Sequence, residues 1–429
     1  MTTIEENIIL TRTGPGTDLG ELFRRYWVPF LDMEELPKPD CPPVRVTLLS
    51  EKLLAFRDSN GNVGLIDEFC AHRRVSLWFG RTEDNGIRCP YHGWKYDYKG
   101  NCLEIPSEPG NDKICSKIKL KSYPCIELGG VIWTYMGPPE YKPEEPNYEW
   151  AVVPSRNRYV SRRLQECNYL QAMEGGIDGS HVSWLHKGAL DNEPMRVGSK
   201  GAEYQRDGAP KIYIKDSPAG LMIGAQRKAE IAQCYWRVTP WIMPWYTIVP
   251  PYGDHALHGH AWVPIDDENC FAWTFTHHPA RALSKKELDG IASDEGIYAA
   301  LIPGTHRTVA NKTNDYLMDR EAQHAGTTYS GIKGIAMQDA SLHESAGPIV
   351  DRSEENLLAT DTAIVMARRK LLKVANELAI SGKPPPGVVA KDQRLRAASF
   401  VWPETASIDD VVNDVIEAGA EPGTQHMTI

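Results

Sequence analysis

The chain has 429 residues, more than one hydrophobic core usually serves, so a smaller and a larger domain are expected. With 41% hydrophobic and 24% charged residues it has an ordinary globular composition, and its net charge of −10 argues against nucleic acid as the main partner. No run approaches the roughly 18 apolar residues of a membrane span, and the acidic start Met-Thr-Thr-Ile-Glu-Glu shows no signal peptide, so a cytoplasmic protein is expected. Apart from Cys70 and Cys89, the remaining cysteines (Cys41, Cys102, Cys115, Cys125, Cys167, Cys234 and Cys270) follow no regular framework and read as reduced thiols.

In chain order, residues 15–30 suggest a short helix capped near Thr17 or Asp18. From Val44 to Tyr135 short β-like runs follow: Arg45-Val-Thr-Leu-Leu, Lys52-Leu-Leu-Ala-Phe, Val63-Gly-Leu-Ile and Gly130-Val-Ile-Trp-Thr-Tyr, with turn residues between them. Within this region lie Cys70-Ala-His72 and Cys89-Pro-Tyr-His92, with sixteen residues between the pairs. Two thiolates and two imidazoles in mirrored pairs can hold an iron–sulfur cluster asymmetrically, cysteines on one iron and histidines on the other. The same ligand set also suits zinc, although zinc fingers usually keep each pair homogeneous and here both are mixed. Gly137 to Pro146, rich in proline, is the best linker.

Downstream, the richest polar segment is Asn168-Tyr-Leu-Gln171-Ala-Met-Glu174-Gly-Gly-Ile-Asp178-Gly-Ser-His181-Val-Ser-Trp-Leu-His186. His181 and His186 lie about 140° apart on a regular helix, so they converge on one ion only where the helix ends or distorts. Gly175, Gly176 and Gly179 would supply that freedom. Asp178 and His181 are spaced to interact on a helix surface. Residues 222–276 contain strand-like runs. In that region Trp241, Trp245 and Tyr246 read as core or as an aromatic pocket, and His255, His258 and His260 as a turn entering a strand. A long amphipathic helix is expected over Ser353–Leu378, capped by Ser353 and stopped by Gly382-Lys-Pro-Pro-Pro. The fold class is α+β.

The Cys–His pairs, the Gly93-Trp94 that follows them and the Asp178-x-x-His181-x-x-x-x-His186 segment together resemble the catalytic subunits of Rieske non-heme iron oxygenases. Gly20–Pro29, His72–Leu77, Asn314–Arg320 and Gln338–Ile349 look like the phthalate-dioxygenase branch, which acts on aromatic carboxylates by ring dihydroxylation or aryl-ether O-demethylation. The resemblance implies a small all-β Rieske [2Fe–2S] domain at 41–146 and a larger antiparallel-sheet-and-helix catalytic domain at 147–429. Residues 1–40 would then be an N-terminal segment packing on the catalytic domain.

It also implies that Cys70, His72, Cys89 and His92 hold the cluster, and that His181, His186 and a carboxylate hold Fe(II). Asp339 fits the family position best; Asp351 is the main rival, and Asp361 a third. Asp178 would bridge to a Rieske histidine of an adjacent subunit in a homotrimer or dimer of trimers, and Asn168 would lie near the iron. A separate reductase or ferredoxin, drawing on NAD(P)H, would supply electrons, with O₂ and an aromatic acid as substrates. Arg227 and Ser183 are the candidate substrate contacts. The competing readings are an O-demethylase on methoxylated acids, a Rieske electron carrier or redox sensor, and a zinc-stabilised binding protein.

Overall fold

The computed structural model describes residues 2–110, 112–187, 200–251 and 256–413. Thr13–Pro143 form one compact unit, and the residues before and after it form the other. The expected N-terminal segment of 1–40 therefore divides at Arg12. The physical reason is a strand: Trp27–Asp32 (β1) pairs antiparallel with Val131–Tyr135 (β11), which pairs with Cys125–Leu128 (β10). Pro29 is tolerated because β1 is an edge strand whose register shifts between Pro29 and Leu31. The helix expected near Thr17 spans Asp18–Phe23, with the Thr17 hydroxyl accepting from the Gly20 N–H.

Two four-stranded antiparallel sheets complete the smaller unit. One contains Val44–Leu48 (β2), Glu51–Arg57 (β3), Val63–Asp67 (β4) and Ser122–Tyr123 (β9). The other contains Arg81–Glu83 (β5), Gly86–Arg88 (β6), Lys95–Tyr96 (β7) and Cys102–Glu104 (β8). Leu54, Phe56, Ile66, Leu77, Ile87 and Tyr96 pack into one core around Cys70 and Cys89.

The larger unit is built on an eight-stranded antiparallel sheet. Its order runs from Arg158–Gln165 (β12) through Cys270–His277 (β18), Leu257–Pro264 (β17), Tyr246–Val249 (β16), Gln233–Ile242 (β15) and Gly220–Lys228 (β14) to Lys211–Ser217 (β13). Ala398–Pro403 (β19) pairs with β15. Four helices matter for the site: Ile4–Thr11 (α1), Tyr169–Ile177 (α2), Ile335–Ser345 (α3) and Thr362–Ser381 (α4).

The long C-terminal helix starts nine residues later than expected. Ser353 spends its N–H and hydroxyl on the Asp351 carboxylate, closing a turn that keeps the chain non-helical there. The helix ends as expected at Gly382, whose φ of 64° lets its N–H reach the Leu378 carbonyl. Trp241, Trp245 and Tyr246 are fully buried core. Among the described residues no helix is long and apolar enough to cross a membrane.

Candidate metal centres and cavity

In the smaller unit the two Cys–His loops are near copies. The Cys70 N–H donates to the Val75 carbonyl at 2.9 Å and the Arg74 N–H returns to the Cys70 carbonyl at 3.0 Å; Cys89, Trp94 and Gly93 repeat both bonds at 2.8 and 3.0 Å. The fifth residue of each loop, Arg74 or Gly93, sits at positive φ, 55° and 76°. Glycine makes that turn freely, and arginine makes it at a cost.

These loops put the cysteines inside, 1% and 2% exposed, and the histidines outward, with His72 exposed and His92 half-buried. The two imidazole centroids are 4.6 Å apart, and Trp94 stacks on His72 at 4.7 Å. The Tyr96 hydroxyl lies 3.2 Å from the Cys70 sulfur and accepts the Ala71 N–H, which leaves its own proton for the sulfur. Burial and the neighbouring Cys70 push the Cys89 thiol up. His92 Nδ1 is buried without a hydrogen-bond partner. Two adjoining thiols in an apolar pocket, faced by two imidazoles, fit a [2Fe–2S] cluster: only a cation would let both ionise and satisfy the orphaned nitrogen.

In the larger unit, His181, His186 and Asp339 each present one donor atom, all within 4.8 Å of one another. α2 ends at Ile177, and His181 opens a short 3₁₀ turn, so the two histidines meet across a change of helix type. Asp339 arrives from α3. Its Oδ1 lies 3.2 Å from His186 Nε2 and 3.6 Å from His181 Nε2, and is buried without a hydrogen-bond donor. Donor separations of 3.2 and 3.6 Å would let the three atoms close on one ion, and two imidazoles with one carboxylate are a set that suits ferrous iron. Burial opposes its charge, yet the two imidazoles hold Asp339 well below the usual carboxylate range.

Gln338 completes the face. Its Nε2 donates to the Ile332 carbonyl, so its Oε1 must accept from His186 Nδ1, at 2.7 Å. That fixes the proton on Nδ1 and leaves the Nε2 lone pair able to bind a metal. Asp178, the C-cap of α2, lies with Oδ2 at 3.6 Å from His181 Nδ1, while Oδ1 accepts from the Ser180 N–H and hydroxyl. Burial would raise its pKa, but the facing His181 imidazole and the bonds from Ser180 bring it down to about 2.

The glycines work differently from expectation. Gly175 and Gly176 lie inside regular helix, and their value is space: a Cβ on Gly175 would meet His343 Nε2 at 2.3 Å, and one on Gly176 would meet Trp262 at 2.2 Å. Neither competing carboxylate joins the histidines. Asp351 is exposed and holds Ser353, and Asp361 accepts from the Leu358 N–H.

Asn168 is not brought to the triad. It caps α2 at the end remote from Asp178, about 15 Å of helix away, and its Nδ2 donates to the carbonyls of Thr11 and Asp267. Ser183 is turned away as well, its hydroxyl donating to the carbonyls of Gln205 and Asp207. Arg227 does line the cavity over the triad, but its Nε and Nη2 donate to the carbonyls of Asp207 and Gly179, which holds the Asp178–His181 segment in place. His258 and His260 sit on β17, bonded to Thr276 and Thr274, and only His260 lines the cavity; His255 lies outside the described residues. Arg163, Gln165, Trp262 and His343 also line it, and no motif or spacing in the chain marks them.

Two family models match, the Rieske [2Fe-2S] domain over residues 26–124 and the LigXa C-terminal domain like family over residues 134–406. The chain is 36% identical to the 3-chlorobenzoate-3,4-dioxygenase oxygenase subunit of Comamonas testosteroni, covering 95% of this chain and 97% of that one. It is 36% identical to the phthalate 4,5-dioxygenase oxygenase subunit of Pseudomonas putida, over 87% and 86% of the two chains. The 5,5'-dehydrodivanillate O-demethylase oxygenase subunit of Sphingobium sp. (strain NBRC 103272 / SYK-6) is 31% identical, over 93% and 86%. These likenesses span both units and agree with the donor sets found in each, so the chain belongs to the Rieske non-heme iron oxygenases, as an oxygenase subunit of the phthalate-dioxygenase-like branch.

Proposed function

We propose that this terminal oxygenase hydroxylates an aromatic carboxylate by ring dihydroxylation, as a cytoplasmic homotrimer fed by a separate NAD(P)H-dependent reductase or ferredoxin. The observation that carries the reading is the face formed by His181, His186 and Asp339 at the floor of a cavity. One side of that face is left to the cavity, which is what a reaction beside a substrate requires. When bound, the cluster and the ferrous ion supply single-electron transfer and dioxygen activation. In this reading Cys70, His72, Cys89 and His92 hold the cluster, and His181, His186 and Asp339 hold the iron.

Asp178 has the geometry of a bridge. One carboxylate oxygen is tied down by Ser180 and the other faces His181 Nδ1. It would link that imidazole to His92 of the partner subunit, whose outward placement suits contact with a neighbour. Likeness to the O-demethylase subunit supports a second reading, removal of an O-methyl group from a methoxylated aromatic acid at the same iron site.

The test is turnover with a compatible reductase, NADH and ¹⁸O₂ on benzoates, phthalates, their methoxylated analogues and neutral aromatics lacking a carboxylate. A dihydrodiol carrying both labelled atoms supports ring dihydroxylation, and formaldehyde with a phenol supports O-demethylation. Absence of any oxygenated product from all the acids, with neutral aromatics turned over, sinks the aromatic-acid reading.

A further inference from the structure

The cavity wall formed by β12, β18 and β17 carries a cation that the assembled metal site does not use. In the sheet register Arg163 pairs with Ala272, which pairs with Trp262; the next row along joins Ser161, Thr274 and His260. Side chains two apart on a strand share a face, so Arg163, Gln165, His260 and Trp262 all look into the cavity they line.

Arg163 is 8% exposed. Its Nη1 donates to Gln165 Oε1 at 2.8 Å, its Nε has no hydrogen-bond partner, and no carboxylate pairs with it among the described residues. Four other buried arginines are treated differently. Arg24 pairs with Glu51, Arg352 and Arg368 with Glu174, and Arg396 with Glu149. Arg227 and Arg237, also in the cavity wall, donate to backbone carbonyls of Gly179, Asp207 and Pro250. A buried guanidinium without an anion is costly, and burial works against the charge of Arg163. Asp339 faces the two histidines, so among the described residues no carboxylate is left for Arg163.

We propose that Arg163 is the specificity-determining residue that receives the carboxylate of the aromatic substrate, with Gln165 bracing the guanidinium and Trp262 beside the ring. This rests on the aromatic-acid reading above. The carboxylate accepts from the Arg163 N–H groups, and the ring is thereby placed between that anchor and the metal face. Loss of a charge-assisted pair of this kind should weaken binding by about 10- to 100-fold.

The experiment compares wild type, Arg163→Gln and Arg163→Lys as iron-loaded holoenzymes. It measures calorimetric Kd without oxygen, and KM and kcat with reductase, for benzoate, 3-chlorobenzoate, phthalate and the matching carboxamides. Arg163→Gln should raise Kd and KM for the acids by that factor, leave the carboxamides within about twofold, and keep iron content and the cluster spectrum. Arg163→Lys, which keeps the charge but loses the fork, should fall between the two. Acid Kd within about twofold of wild type in Arg163→Gln, or equal losses for acid and carboxamide, overturns the assignment while leaving the aromatic-acid reading intact. Wild type that prefers the carboxamides overturns that reading, and the assignment with it. If Arg163→Gln shows no cooperative melt, Arg163→Lys decides: unchanged acid binding relative to carboxamide overturns the assignment.

Discussion

The two metal-binding regions are assembled by opposite means. In the smaller unit the four proposed ligands come from two short loops, and each loop is closed by its own backbone bonds between Cys70 and Val75 or between Cys89 and Trp94. In the larger unit the third proposed ligand, Asp339, lies 153 residues from the second, and the face exists only because α3 packs where α2 ends. A site built from local bonds tolerates changes elsewhere in the chain, whereas a site built by packing inherits every error in the elements that carry it.

The sharpest separation of the two should come from removing ligands. Cys70→Ser should abolish the visible cluster spectrum and all turnover. His181→Ala should also abolish turnover, yet keep the spectrum and lose about one iron per chain. Iron analysis beside absorption spectroscopy checks this, and loss of both metals in either variant would erase the distinction.

Next in size, Gln338→Leu leaves the His186 Nδ1–H buried without its acceptor and should weaken Fe(II) retention by about 10- to 100-fold, read by competition with a chelator. Its counterpart in the smaller unit, Tyr96→Phe, removes a hydroxyl beside the Cys70 sulfur. It should lower the cluster midpoint potential without loss of iron, because donors to a cluster sulfur favour the reduced state.

Smaller again, Gly175→Ala forces a methyl against His343 on α3 and should cost about 1–3 kcal/mol of stability, with the melting temperature and iron content falling together. The smallest effect is expected from Asn168→Ala, about 1 kcal/mol from a lost N-cap, with kcat unchanged at saturating substrate. A large fall in kcat with normal melting would return Asn168 to the reacting centre.

The contrast between local and packed assembly also decided what was legible in the chain. Cys70, His72, Cys89 and His92 declare themselves because their spacing is their geometry. The strands around them follow from alternating apolar runs, as does the α+β class. His181 and His186 were legible as a pair, but Asp339 could be chosen over Asp351 and Asp361 only through resemblance, since spacing says nothing about which helix returns to the histidines.

Gln338, His343 and Arg163 were missed for the same reason. Gln338 adjoins Asp339, but its value comes from His186 across the fold. Arg163 and Gln165 did leave a faint sign, two polar residues on the same face of a strand that should be apolar inside. Residues 13–40 cluster with the smaller unit, which their sequence hides because Pro29 disguises β1 and its partner strand lies about a hundred residues on.

One helix carries a consequence for how the protein is made. α1 precedes the smaller unit in the chain, and it is held by residues that follow that unit as well as by α2: Asn7 bonds the Val350 carbonyl and the Arg352 guanidinium, residues some 343 and 345 positions later. At about 5–20 residues per second of translation, α1 waits on the order of 20 to 70 s for those partners. During that interval the whole Thr13–Pro143 unit has emerged and can fold. The smaller unit is thus an insertion completed while its host is still open, and a chain begun at Thr13 would keep the cluster loops but leave Asn168, Val350 and Arg352 without the helix they hold.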